Sequence, residues 1–199
     1  GWEVGFNVKR DGLFTANDAL RAKVTYFDMR IKDFIAARMN PTLGRFQFVN
    51  LPGTSRQLGL ELSAMYDVGV AFAGLAYTHT DTDLPSQQPG LGALSYRPDD
   101  VVALTLGTRL FEERLTVGTR INYVSNGIGN VGNEADPTAT PINEKTPGYT
   151  LVDLFASYEF ENGIEVAAKV TNLFDETYTP ALSTIGTGQG RTFHLSTQF

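Results

Sequence analysis

Two histidines are the side chains in this sequence best placed to act as a catalytic base. His79 and His194 are the only histidines among the 199 residues. A serine–histidine–aspartate site needs a histidine within reach of a nucleophile, and neither histidine has a serine motif nearby. No glycine-rich phosphate loop follows a strand into a helix. The sequence therefore predicts no catalytic residues and no enzyme.

Acidic side chains are the next candidates, because carboxylate oxygens bind calcium. They gather in two stretches between apolar segments, one with Asp81, Asp83, Asp99 and Asp100 and another with Glu134, Asp136 and Glu144. Neither stretch has the spacing of a calcium motif, which favours solvated acidic loops. Without cysteine there is no disulfide or thiolate site, so we expect no metal site and no cofactor. The net charge of −6 argues against nucleic acid as a partner.

The elements that position these residues are strands, because apolar and polar residues alternate with a period of two. Trp2, Val4, Phe6 and Val8, for example, alternate with Glu3, Gly5, Asn7 and Lys9. The segment 70–79 is apolar enough for a strand, but the face that its apolar residues occupy is ambiguous. The predicted strands cover residues 2–8, 20–26, 58–66, 70–79, 102–110, 115–123, 152–160, 164–170 and 193–199.

The connections between these strands decide what kind of sheet they form. Every second connection is a short turn, whereas the others run to roughly 17–23 residues, longer than loops in compact soluble domains. These long connections are residues 36–55, 80–98, 124–146 and 173–189. Short turns on one side and long loops on the other are typical of an outer-membrane barrel, with the short turns in the periplasm. A soluble β-sandwich fits the alternation alone but not these loops.

Charges and aromatic rings agree with a barrel wall that faces lipid on one side and water on the other. The sequence contains no run of about 18 apolar residues, so it predicts no transmembrane helix. Aromatic residues lie at strand ends, as in the girdles of membrane barrels, although ordinary core aromatics remain an alternative. Charged residues fall in the inward phase, namely Arg21, Lys23, Glu61, Arg109, Arg120, Asp153, Glu165 and Lys169.

The number of strands indicates that the barrel needs more chain. Nine strands cannot close by themselves, because single-chain bacterial barrels have an even number of antiparallel strands and an open edge is unfavourable in lipid. The sequence begins inside a strand at Gly1–Trp2 without an initiator methionine. We therefore expect residues 1–199 to be the C-terminal part of a barrel domain whose targeting segment lies upstream.

Three motifs resemble the C-terminal region of TonB-dependent outer-membrane receptors. Asn172-Leu173-Phe174-Asp175-Glu176-Thr177-Tyr178 is similar to the family's Asn-Leu-Phe-Asp-x-x-Tyr motif between the last two strands. Residues 50–62 resemble its strand-entry pattern. The final strand, with Phe193, Leu195 and a terminal Phe199, is similar to the family's barrel-assembly signal, although a chain end at phenylalanine by chance is the alternative.

The resemblance implies a fold and a set of partners. The expected fold is all-β, an antiparallel transmembrane barrel of 22 strands that encloses an N-terminal plug, of which about the last nine strands are present here. Expected partners are outer-membrane lipid, the barrel-assembly machinery, an iron-bearing ligand, and the TonB complex through an N-terminal region upstream. The expected location is the outer membrane of a Gram-negative bacterium.

Within that family, Tyr178 to Ser183 and Gly188 to Thr192 look most like the haem and haem-protein receptors. The Phe-Arg-Ala-Pro and Asn-Pro-Asn-Leu motifs that are common in haem receptors do not occur in residues 1–199. Neutral imidazole can ligate haem iron, so His79 is the candidate axial ligand. A rim histidine bonded to water or to a loop carbonyl is the alternative.

The resemblance predicts import of haem or of a ferric siderophore. The candidate ligand-binding residues are His79, Tyr96, Phe46, Phe48 and Tyr178. Two other functions stay open. One is a passive channel or structural barrel without a gated plug, and the other is an outer-membrane hydrolase.

Overall fold

The computed structural model describes residues 1–40, 42–50, 52–82, 98–131, 142–180 and 187–199. These residues form strands joined by turns and loops. Among them, no helix has the length and hydropathy needed to cross a membrane.

One antiparallel sheet contains all nine predicted strands. Each strand is hydrogen-bonded to the sheet strands next to it in the chain, so the sheet has no crossover. The strands from one edge to the other are β1 (Trp2–Asp11), β2 (Ala19–Lys32), β5 (Thr54–Asp67), β6 (Ala71–Thr82), β7 (Asp100–Leu110), β8 (Leu115–Val124), β11 (Tyr149–Glu159), β12 (Glu165–Thr171) and β13 (Thr192–Gln198). This meander confirms the all-β antiparallel fold class.

Two further hairpins lie in connections that the sequence predicts as plain loops. The strands β3 (Ile35–Asn40) and β4 (Arg45–Asn50) pair between β2 and β5, and β9 (Gly127–Val131) pairs with β10 (Ile142–Thr146) between β8 and β11. Each of these strands has only five or six residues, and so short a period-two pattern does not stand out within a long connection. The expectation of plain loops was wrong for these residues.

The register gives the sheet one apolar face that runs across all nine strands. Residues directly opposite each other on paired strands point to the same side. One such row joins Val24, Leu62 and Tyr77, and the next strands continue it with Val102 and Tyr123. This row resolves the ambiguous segment: Ala73, Leu75 and Tyr77 of β6 belong to the apolar face.

The opposite face, here the polar face, carries all eight charged residues that the sequence predicts to point inward. Arg120, for example, lies opposite Asp153 and Thr105. Arg109 forms a two-pronged contact with Asp67, with nitrogen–oxygen distances of 2.9 and 2.8 Å. Its guanidinium carbon also lies 4.8 Å from the centre of the Phe72 ring. The charges on this face are thus partly paired within the wall.

Aromatic rings mark both ends of the apolar face. At the end with the long connections, here the long-loop end, the rings of Trp2 and Tyr26 lie 5.3 Å apart. At the opposite end, here the short-turn end, Phe14 meets Tyr66 edge-on at 6.1 Å, and Tyr158 meets Phe160 at 4.8 Å. Phe6 lies opposite Val24 in the middle of its strand, so the expectation that aromatic residues lie at strand ends was wrong for this residue.

On the polar face, three phenylalanine rings lie against glycines of the neighbouring strand. Phe27 is opposite Gly59, Phe72 is opposite Gly107, and Phe155 is opposite Gly118. A Cβ atom at Gly107 would overlap the Phe72 ring. Cross-strand aromatic rings are known to compensate for glycine in a sheet, and each glycine here makes room for its ring.

A buried carboxylate organises the turn between β1 and β2. Asp18 is 2% exposed and accepts hydrogen bonds from the backbone N–H groups of Leu13, Phe14 and Thr15 and from the Tyr66 hydroxyl, at 2.6 to 2.8 Å. Burial by itself raises the pKa of Asp18, but these four donors outweigh it and lower the pKa from 3.8 to about 2. The ionised form therefore holds this turn.

Replacing Gly107 with alanine is expected to displace the Phe72 ring and to destabilise the barrel by about 1–3 kcal/mol through overpacking. The measurement is the temperature at which the full-length protein in detergent loses its compact electrophoretic mobility. Gly74→Ala is the matched control on the same face, because the nearest atom to its new Cβ is the Met65 sulfur at 3.3 Å. Equal losses in both variants would contradict a specific role for the Gly107–Phe72 contact.

The Asp18 turn predicts a dependence of stability on pH. Because the pKa is lower in the folded state, the contribution of Asp18 is complete above about pH 4 and is lost as pH falls towards about 2. Asp18→Asn should lower the melting temperature near pH 6 and lessen its fall between pH 4 and 2. Circular dichroism melts of the full-length protein measure both effects. A variant with an unchanged pH profile would exclude Asp18 as the titrating group.

Candidate functional site

The Asn-Leu-Phe-Asp motif forms a clasp between β12 and β13. Asn172 is 4% exposed and has a φ of 50°, a left-handed conformation that asparagine tolerates better than most residues. Its amide nitrogen donates to the carbonyl oxygens of Glu176 and Gln189 at 2.9 and 3.2 Å, and its side-chain oxygen accepts the N–H of Glu176 at 2.8 Å. One side chain thus holds both ends of the connection.

Asp175 and Leu173 complete this clasp. The Asp175 carboxylate accepts the backbone N–H of Arg191 at 2.7 Å, just before β13 begins. The N–H of Leu173 donates to the carbonyl oxygen of Val152 on β11 at 2.7 Å. Phe174, between them, is 73% exposed. The motif therefore fixes where the last strand starts, while the Phe174 ring remains accessible.

The clasp is joined to the polar face through Asp153. This aspartate is 8% exposed and accepts the backbone N–H of Asn172 at 3.0 Å. Its second oxygen lies 3.3 Å from the ammonium nitrogen of Lys169. Asp153 stands directly opposite Arg120 in the register. The carboxylate therefore links the connection to the Lys169 ammonium group of the wall.

Tyr178, the last residue of the motif, lies at the long-loop end beside a second aromatic ring. Its ring centre is 4.6 Å from that of Tyr149. Tyr178 also covers Gly188, where any Cβ atom would overlap the ring, and its carbonyl oxygen accepts the N–H of Gly188 at 2.7 Å. Tyr149 starts β11 on the polar face. Sequence reasoning missed Tyr149, which lies at the end of a long connection outside the predicted strand.

His79 lies on the apolar face, directly opposite Leu60 and Asp100. Its Nδ1 atom is 2.9 Å from an Asp100 carboxylate oxygen, which also accepts the Tyr77 hydroxyl at 2.7 Å. This arrangement holds the imidazole within the wall and resembles the predicted alternative of a bonded rim histidine. The role of His79 as an axial ligand stays a prediction.

The other candidate ligand-binding residues are spread over several connections. Phe48 is 79% exposed on β4, and the backbone of Phe46 belongs to the same strand. Tyr96 lies outside the described residues. The structure thus does not bring these residues together with His79 or Tyr178 in one pocket that the described part of the chain defines.

The predicted barrel-assembly signal lies at one edge of the sheet. Phe193 and Leu195 pair with Val170 and Ala168 of β12 on the apolar face. Phe193, Leu195 and Phe199 are 73, 76 and 95% exposed. On the polar face of the same strand, His194 lies opposite Lys169, as the alternation predicts. Among the described residues, no group of three or more acidic or histidine side chains forms a metal site.

The family model described as TonB dependent receptor-like, beta-barrel matches residues 1–173. The chain belongs to this family. Its members are outer-membrane proteins of Gram-negative bacteria, so the short-turn end is the periplasmic end and the long-loop end is the external end. The family membership also confirms that the apolar face is the lipid-facing side of a barrel wall.

Relatives of known name include haem receptors. The chain is 28% identical to the TonB-dependent heme receptor A of Haemophilus ducreyi, over 97% of this chain and 29% of that protein. It is 26% identical to the hemin receptor of Yersinia pestis, over 89% of this chain and 25% of that protein. The chain therefore spans only about a quarter to three tenths of the length of these relatives.

Solved structures of the family have the same fold. The FrpB iron transporter of Neisseria meningitidis is 25% identical, with a TM-score of 0.74, over 98% of this chain and 30% of that one. The HasR hemophore receptor of Serratia marcescens, solved with its hemophore HasA and heme, is also 25% identical, with a TM-score of 0.71 and the same coverage. These likenesses confirm that the resemblance to the haem-receptor subgroup was correctly identified from the motifs.

Replacing Asn172 with alanine is expected to destabilise the barrel by about 2–4 kcal/mol, because three hydrogen bonds are lost and alanine tolerates the left-handed backbone poorly. Heat-dependent electrophoretic mobility of the full-length protein measures the loss. Glu176→Ala is the control, because the Asn172 side chain bonds to the backbone of Glu176 and not to its side chain. The clasp is not needed if Asn172→Ala melts at the same temperature as this control.

Proposed function

We propose that the full-length protein is a TonB-dependent receptor that imports an iron-bearing nutrient, with haem as the first candidate. The observation that carries the proposal is the family match over residues 1–173 together with relatives named as haem receptors. The TonB complex would engage a plug and an N-terminal segment upstream of residue 1. Barrel insertion would depend on the assembly machinery through the final strand.

The polar face supports passage of a polar or charged solute. Its cations and carboxylates, among them Arg120, Asp153 and Lys169, keep this side of the wall hydrated. A purely structural barrel with a dry interior would require every one of these charges to be paired. The inner wall is thus suited to a water-filled space that a plug can fill and vacate.

The external end offers aromatic surface for a flat ligand. Tyr149 and Tyr178 form a ring pair at the external end of the wall. Aromatic pairs contribute about 0.5–1.5 kcal/mol beyond the area that they bury. Phe48 adds an exposed ring on the β3–β4 hairpin. We include Phe46 and Tyr96 in the proposed binding loops because they occupy the same external connections. His79 has the least support, since its ring is bound to Asp100.

Uptake in cells tests this function. The full-length gene would be expressed in a Gram-negative strain without its own haem receptors, with haemin or a ferric siderophore as the only iron source. We expect growth on haemin that disappears when the host TonB gene is deleted. Growth that persists without TonB would favour a passive channel, and growth on the siderophore alone would make the siderophore the ligand.

Binding residues are tested with purified full-length protein and haemin absorbance titrations. Tyr178→Ala should weaken haemin binding about fivefold through loss of the ring contact, whereas Tyr178→Phe should bind like the parent. His79→Gln should leave both the affinity and the haemin spectrum unchanged. A spectral change in His79→Gln would instead establish His79 as an iron ligand. Esterase activity that disappears in a His79→Gln, His194→Gln double variant would support the hydrolase alternative.

A further inference from the structure

The ionisable residues of the lipid-facing side are distributed unevenly between its two ends. Apart from tyrosine, the only ionisable side chain in the apolar phase at the periplasmic ends of the described strands is that of Arg10. The external ends carry seven such residues, all on four adjacent strands. They are Asp28, Arg30, Lys32, Arg56, His79, Asp81 and Asp100.

Three cations lie together within this external group. Arg30 stands directly opposite Arg56, and Lys32 lies two residues further along β2 on the same side. Directly opposed like charges destabilise a sheet unless an anion lies between them. Within the wall that anion is Asp28, whose side chain is 4% exposed and lies 2.6 Å from Arg56 but 3.9 Å from Arg30.

Arg30 and Lys32, here the cationic pair, remain available for another anion. The Arg30 side chain is 66% exposed, and Lys32 is also exposed. Asp28 and Asp81 both act on Arg56, and Lys32 has no ion-pair partner among the described residues. Side chains two residues apart on a strand are about 6.6–7 Å apart. One phosphate group can therefore contact both members of the pair.

The depth of the cationic pair in the membrane follows from the length of β2. From Leu20 to Asp28 the strand rises about 20 Å along the membrane normal, given a rise of about 3.3 Å per residue and a tilt near 40°. The outward residues from Leu20 to Tyr26 are uncharged, and the Trp2–Tyr26 ring pair lies at the upper end of this stretch. Arg30 and Lys32 thus lie just above the hydrocarbon, at the level of the lipid headgroups.

We infer that the cationic pair binds the phosphate of an outer-leaflet glycolipid, with Arg56 behind it. Guanidinium and ammonium groups form strong, charge-assisted hydrogen bonds with phosphate oxygens. A lipid is favoured over free phosphate because the surface directly below, with Tyr26, Leu60 and Leu62, is apolar and can hold acyl chains. Headgroup and chains then bind together, which raises the effective affinity. This site does not depend on the nutrient that is imported.

The test uses full-length protein and lipid A that carries both of its phosphates. Native mass spectrometry measures the lipid bound as its concentration rises. Because each surface cation contributes about fivefold to binding of anionic lipid, Arg30→Gln with Lys32→Gln should weaken binding about 25-fold. The control is Arg10→Gln with Lys23→Gln. This variant loses the same amount of charge, but from the periplasmic end of β1 and from the polar face of β2. It should bind lipid A like the parent.

Two further probes identify what is recognised. Lipid A without phosphates should bind as weakly to the parent as intact lipid A binds to the Arg30→Gln, Lys32→Gln variant. Inorganic phosphate at millimolar concentration should not displace the lipid. Equal binding by both double variants, or by both lipids, would overturn the inference, as would efficient displacement by inorganic phosphate. Heat-dependent mobility of each variant confirms that the barrel is folded, and haemin uptake reports separately on the proposed import function.

Discussion

The whole structure depends on satisfying the backbone hydrogen bonds of a chain that lies in hydrocarbon. No water is available there, so every N–H and C=O group of a spanning strand needs a partner on a neighbouring strand. The nine-stranded meander meets this requirement in its seven inner strands, each of which is paired on both sides. The unbroken antiparallel pairing follows from that demand, whereas the apolar face and the charged polar face follow from lipid on one side of the wall and water on the other.

The position of the wall between lipid and water explains which elements the sequence could predict. A strand between lipid and water must alternate, and all nine wall strands were therefore identified from their pattern. The β3–β4 and β9–β10 hairpins were missed because their strands have only five or six residues, too few for a period-two pattern to stand out within a long connection. The phase of β6 was ambiguous because small residues such as Ala71, Ala73, Gly74 and Ala76 fit either face. Only pairing with Leu62 and Val102 resolves it, and such long-range register is not encoded in one segment.

The candidate site was partly predictable for a similar reason. The Asn172–Tyr178 motif was recognised from its residues, but its physical role depends on contacts with Asp153 and Gln189 that are distant in the chain. Tyr149 had no signal beyond its residue type. His79 is the opposite case: its chemistry suggested a ligand, whereas its neighbours Asp100 and Tyr77 hold it in the wall. Residue type predicted what a side chain can do, and register decided where it can do it.

The three phenylalanines packed against glycines have a consequence for the space inside the barrel. A ring that lies against the wall adds only about the thickness of one carbon layer, near 3.5 Å, whereas an upright ring would extend much further. Phe27, Phe72 and Phe155 therefore line the interior as thin plates. The wall gains apolar packing without narrowing the space inside the barrel. A folded domain inside the barrel would meet a comparatively smooth lining at these three places.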